Sequence, residues 1–101
     1  MKKALFILSA LFFVSPAFAA DPAAGQAKAA VCIACHGVEG NAPILDTYPK
    51  IGGQNAAYLV LAIKAYQNGE RTGANAGLMT PMVAALSDAD IADVAAYFSS
   101  L

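Results

Sequence analysis

Cys32, Cys35 and His36 are the residues of this chain best suited to chemistry, in the run Cys32-Ile33-Ala34-Cys35-His36. The two thiols lie three residues apart, so on a helical turn they project from one side, and His36, four residues after Cys32, returns to that side. Such a pair can form thioether bonds to the two vinyl groups along one edge of a porphyrin, and the imidazole that follows can then ligate the iron from one face. The spacing is demanded by a rigid macrocycle, which makes the C-x-x-C-H pattern specific. It predicts one covalently attached haem c held by Cys32, Cys35 and His36.

Three other readings of the pair are weaker. A disulfide between Cys32 and Cys35 would close a very small loop, with little entropic gain to offset its strain. A thioredoxin-like redox pair needs a βαβ setting, and the chain has no strand pattern. A zinc site needs about four ligands, whereas the chain has two Cys and one His.

Iron with both axial positions filled needs a second donor, and with His36 as the only histidine it cannot be another imidazole of the same chain. Met79 and Met82 are the leading donors, with Lys50 and Lys64 behind them. A thioether ligand stabilises ferrous iron and raises the potential, although either methionine also suits a core gap. A ligating histidine usually gives its other ring N–H to an acceptor. Proline carbonyls in the following loop can fill that role; Pro43 is the first candidate and Pro49 the second.

The elements that must position these groups read as helices. Asp21-Pro22 is a helix start, with Asp at the N-cap and Pro at the first helical position, and the alanine-rich run Ala23 to Val31 leads into the cysteines. Gly25 inside that run costs about 1 kcal/mol against Ala, which is understandable if another helix crosses closely there, with Tyr97 or Phe98 over it. Residues 36–53, with four glycines and two prolines, read as an extended loop able to wrap a flat ligand. Asn55 to Asn68 is a second helix, with Tyr58, Leu59, Ala62, Ile63 and Tyr66 at helical spacing and Asn68-Gly69 as its stop. Residues 69–86 read as a second loop carrying both methionines. Ser87 with Asp90 three residues on forms a capping box for a last helix that buries Ile91, Val94, Ala95 and Phe98. The fold class is all-α, with three main helices.

The beginning of the chain reads as an export leader: Lys2 and Lys3, an apolar run from Ala4 to Val14, then Ala17-Phe18-Ala19 as a small-residue cleavage site. This divides the chain into a secretory signal peptide over 1–19 and one small domain over 20–101. The apolar run is too short for a comfortable membrane span, and the 58% hydrophobic share of the whole chain is raised by this leader, so no lasting membrane insertion is expected. After residue 19 there are seven acids and four bases, a net charge of −3, which argues against a nucleic-acid partner. Two thiols outside the cytoplasm would oxidise unless the haem consumed them, and the lysine-led leader points to a bacterial periplasm.

The chain resembles class I c-type cytochromes. The likeness covers essentially the whole region after the leader and is strongest in Cys32-Ile33-Ala34-Cys35-His36-Gly37, Tyr48-Pro49-Lys50-Ile51-Gly52-Gly53-Gln54, Asn68-Gly69-Glu70-Arg71-Thr72 and Leu86-Ser87-Asp88-Ala89-Asp90-Ile91. It is most similar to one half of the bacterial two-haem periplasmic cytochromes, standing alone with one haem. The resemblance implies an all-helical fold around one covalent haem, His/Met ligation and one-electron transfer without bond chemistry. In such sequences the ligand methionine lies seven residues before the Leu of Leu-Ser-Asp, which from Leu86 is Met79, with Met82 packing nearby. The sequence departs from the family pattern at Ala29, where many relatives carry an aromatic residue, and the loop from Gly37 to Tyr48 varies in length among them.

The expected function is therefore a periplasmic electron carrier, not an enzyme. Its donor would be a quinol-oxidising complex or a dehydrogenase and its acceptor a terminal oxidase or reductase, met by a monomer in weak, brief contacts. Two alternatives differ in testable ways. A haem subunit of a dehydrogenase complex would expose an apolar patch too large for a free monomer. A gas-binding sensor would have a labile sixth position, against which the two loop methionines count.

Overall fold

Five short helices follow one another in the computed structural model, which describes residues 19–101: α1 Pro22–Lys28, α2 Ala30–His36, α3 Ala56–Gln67, α4 Ala76–Val83 and α5 Asp88–Ser99, with a single 3-10 turn at Val38–Gly40 after α2. No strand occurs among the described residues, and the fold is all-α. The export leader expected over residues 1–19 lies, save Ala19, outside the described residues. No helix among the described residues is long and apolar enough to cross a membrane.

The caps form where the sequence places them. Asp21 accepts from the Ala23 N–H at 2.9 Å with Pro22 next in line, and Ser87 and Asp90 exchange side-chain and backbone bonds at 3.1 and 3.0 Å in a full capping box. Each removes orphan donors at a helix start. The apolar face of α5 is buried at Ile91, Val94, Ala95 and Phe98. It packs on α1 and α3 and forms the core with Ala29 and Leu59.

Gly25 is where α1 meets α5. A Cβ there would overlap the Asp93 backbone carbonyl and lie 3.0 Å from the Tyr97 Cβ. Only the missing side chain allows this approach, and Tyr97 rather than Phe98 covers the glycine. The crossing is clasped at its edge by Lys28, whose ammonium reaches Asp90 at 2.7 Å and Asp93 at 2.8 Å, while Asp93 also accepts from the Asp21 N–H at 2.8 Å.

Two features differ from the sequence expectation of three main helices. The first helix is broken at Ala29, whose ψ of −1° departs from helical values; Ala29 is fully buried in the core cluster, and the chain bends there before entering the cysteine turn. The segment 69–86 is not all loop, because residues 76–83 form α4. Gly77 and Pro81 hide this helix from propensity, and Pro81 removes one of its internal donors. It is held by tertiary contacts: it packs on α3, and the Gln67 side-chain amide donates to the Val83 carbonyl at 2.8 Å and the Leu86 carbonyl at 2.9 Å.

Candidate functional site

The whole Cys32–His36 run lies in α2 and completes it, so the predicted one-sided display of these groups is met on a real helix. Both cysteines are half-buried thiols, and burial pushes the Cys32 thiol above its ordinary value. His36 is 7% exposed. Its Nδ1 lies 2.7 Å from the Pro49 carbonyl oxygen. A carbonyl only accepts, so Nδ1 carries the proton and Nε2 is left as the free ligand atom of the ring.

Pro49, not Pro43, is thus the acceptor. The loop explains the correction. The Ile44 N–H donates to the Cys35 carbonyl at 3.0 Å, and the Ala42 carbonyl is pressed against Gly37. Pro43 lies between these two contacts, against the backbone of the motif, and the imidazole bonds the Pro49 carbonyl instead. Just beyond Pro49 the Gly40 carbonyl accepts from both Ile51 and Gly52, at 2.9 and 3.2 Å, and the Gly53 N–H bonds the Phe98 carbonyl at 2.7 Å. These bonds fix the backbone that presents Pro49.

A cavity of about 360 Å³ lies against these groups. Val31, Cys32, Cys35 and His36 of α2 line it, as do Tyr48, Pro49, Lys50 and Ile51 of the loop. All five residues expected on one face of α3 (Tyr58, Leu59, Ala62, Ile63 and Tyr66) line it too, with Leu59 and Ile63 serving the core as well. Leu78, Met79 and Met82 come from α4, and Val94 and Phe98 from α5. Both sequence-predicted methionines are therefore brought to the same cavity as the cysteines and the histidine. Met79 is half-buried and Met82 is 43% exposed. Lys64, by contrast, is paired with Asp88 at 3.4 Å and does not line the cavity. Sequence reasoning missed Gln67, which ties α4 to α3; a single glutamine in the last turn of a helix carries no signal of its distant partners.

The fit to a haem is chemical as well as spatial. The walls are mainly apolar, two thiols project from one helix, an imidazole with a free Nε2 stands beside them, and thioether sulfurs are supplied by another element. Among the described residues no three His, Cys, Asp or Glu side chains converge as a metal site would require, which leaves the zinc reading without a ligand set.

The family model described as cytochrome c matches residues 22–101. The chain belongs to the cytochrome c family. It is 57% identical over 84 residues to cytochrome c-554(548) of Halomonas halodenitrificans, covering 81% of this chain and 98% of that protein. It is 50% identical over 82 residues to cytochrome c4 of Pseudomonas aeruginosa, covering 81% of this chain but 39% of the relative. A protein named thiosulfate dehydrogenase electron acceptor from Thiomonas intermedia is 36% identical over 98 residues, 97% of this chain and 42% of its own length. The chain thus spans nearly all of cytochrome c-554(548) and about two-fifths of the other two, as a one-haem protein resembling half of a two-haem cytochrome does. Membership implies covalent haem c with its iron, which the Cys32/Cys35 spacing fits, and the protein is a haem-based electron carrier.

Proposed function

We propose that this cytochrome is a periplasmic one-electron carrier in which Cys32 and Cys35 form the thioether links, His36 Nε2 is one axial ligand and Met79 Sδ the other. When bound, the haem supplies a one-electron ferric/ferrous couple. The observation that carries the reading is the 2.7 Å bond from His36 Nδ1 to Pro49 O: it fixes the tautomer, aims Nε2 and raises the basicity of the ligand atom. The interlocked loop holds that geometry. Mainly apolar walls would keep water from the haem, and donors supplied by both His36 and Met79 would let it gain or lose an electron with little movement of atoms.

Export of the domain follows from the leader, with cleavage near Ala19. Helix α1 begins at Pro22, so removing the leader leaves every described helix whole. Donors of the quinol-oxidising or dehydrogenase kind and acceptors of the oxidase or reductase kind fit a small carrier, and the relative named for accepting electrons from thiosulfate dehydrogenase supports a dehydrogenase as donor.

The test is the visible spectrum of the exported protein, oxidised and reduced, with and without carbon monoxide. Sharp low-spin reduced bands that ignore the gas are expected. Bands that shift with carbon monoxide would mean an open sixth position and would remove Met79 from its role.

A further inference from the structure

Gln67 is the last residue of α3 and follows Tyr66, which lines the cavity. A glutamine amide has two N–H donors, and here it donates to two distant carbonyls, Val83 at 2.8 Å and Leu86 at 2.9 Å. Val83 stands one helical turn after Met79, on the same face of α4, and Leu86 stands just beyond the helix. All three line the cavity. The glutamine has firm footing of its own. The Asn68 N–H bonds the Lys64 carbonyl at 2.9 Å, and the Glu70 and Arg71 N–H groups both bond the Ala65 carbonyl, at 2.9 and 3.2 Å, which closes the last turn of α3.

Helix α4 depends on support from outside. Pro81 brings no N–H to its ladder, Asn75 makes no side-chain capping bond, and the helix packs on α3 more than on any other helix. Leu78, Met79 and Met82 turn toward the cavity instead of the core. A second tie from α3 to this region is the Lys64–Asp88 pair at 3.4 Å, with side chains 41% and 85% exposed; a solvated pair of this kind has little strength. The Gln67 bonds are shorter, partly buried and made to backbone.

We propose that Gln67 is a positioning residue for the sixth ligand: by fixing the backbone one turn after Met79 to the end of α3, it keeps the thioether of Met79 from leaving. The inference rests on the Met79 ligation proposed above. Rotation of the Met79 side chain alone would leave Val83 and Leu86 where they are, but displacement of α4 from α3 breaks both Gln67 bonds. The glutamine therefore opposes release of the ligand by movement of the helix. Loss of two neutral hydrogen bonds corresponds to a released fraction larger by roughly five- to a hundredfold.

The experiment is the rate of carbon monoxide binding to the reduced, haem-loaded protein, with the resting spectrum and amide hydrogen exchange recorded for each variant. Gln67→Glu keeps the shape and removes both donors at neutral pH; Gln67→Leu removes them without adding charge. Both should bind the gas about five- to a hundredfold faster than wild type, with a low-spin resting spectrum. Exchange should quicken in residues 76–83 and stay unchanged in residues 50–53 of the histidine loop. Lys64→Gln, which removes the exposed tie one turn away, should bind the gas at nearly the wild-type rate. If Gln67→Leu binds at the wild-type rate while Met79→Ala binds much faster, Gln67 has no part in holding the ligand and the Met79 reading stands. Exchange that quickens equally in α4 and the histidine loop would also overturn the inference, because it would mean a general loss of stability. A wild type that binds the gas as fast as Met79→Ala would instead sink the ligation on which the inference rests.

Discussion

His36 and Met79 face one cavity, but the protein holds them in different ways. His36 is buried, and its partner Pro49 is carried by a loop locked backbone to backbone: Ile51 and Gly52 to Gly40, Ile44 to Cys35, Gly53 to Phe98. At Gly52 the packing is so close that a Cβ would overlap the Glu39 carbonyl and stand 2.8 Å from the Asn41 amide. Met79 sits on an eight-residue helix with Pro81 inside it, an N-cap that makes no side-chain bond, and one glutamine securing its C-terminal end. A Cβ on Gly77 of that helix would meet nothing within 4 Å. The imidazole is held by a structure that cannot shift piecemeal, the thioether by one that can. In this cytochrome the methionine side should be the one that yields first to mutation or stress.

The largest expected effect lies at that methionine. Met79→Ala should lower the potential by roughly 100 mV or more, within the approximately 0.8 V range over which axial ligands act, and should let carbon monoxide bind the reduced protein. Met82→Ala should leave the spectrum and gas insensitivity unchanged. Electrochemistry and spectra of the two variants decide between the sulfurs, and the reverse pattern would transfer the ligand role to Met82.

Paired glycine substitutions give a smaller and sharper comparison. Gly52→Ala forces a Cβ into the Glu39 backbone and should cost about 1–3 kcal/mol, as overpacking does. Gly77→Ala meets open space in a helix and should be neutral or stabilising by up to about 1 kcal/mol. Denaturant unfolding of the haem-loaded variants measures both. Equal destabilisation at the two sites would mean that α4 is held as tightly as the histidine loop, and the contrast drawn between them would fail.

The unequal packing also explains what could be read from sequence. Local chemistry was legible: Asp21-Pro22, Asn68-Gly69 and Ser87 with Asp90 act through residues a few positions apart, and the buried face of α5 has its own period. Gly25 was legible because a glycine in a helix needs a reason. The break at Ala29, the helix over residues 76–83 and the choice of Pro49 over Pro43 were not, since each is decided by partners distant in sequence: the α5 core, Gln67, and the Gly40 carbonyl. The cysteines, His36 and the two methionines could be singled out because their chemistry is rare in the chain, and they line one cavity; Gln67 could not, because its chemistry is common.

The smallest effect tests the clasp that joins α1 to α5, outside both walls of the cavity. Asp90 is held down to about 2, first by the Lys28 ammonium and then by Ser87; Asp93 is lowered by the Asp21 N–H and then by Lys28; Lys28 is raised by Asp90 and Asp93. Carboxylates that are more acidic folded than unfolded stabilise the protein above their ordinary value of about 3.9 and lose that contribution as pH falls through the folded value. The raised lysine contributes below its ordinary value and ceases to do so as pH climbs through the folded one. Because these side chains are partly open to solvent, the gain should be modest and screened by salt. Asp90→Asn keeps an acceptor for the Ser87 N–H and removes only the charge. Its thermal midpoint should therefore lie slightly below wild type near neutrality, approach it as pH drops from about 4 to about 2, and match it at high salt throughout. Curves that stay parallel into acid instead of converging would show that the clasp contributes by packing rather than by charge, and would set the α1–α5 crossing beside the Gly52 interlock as a region held by shape.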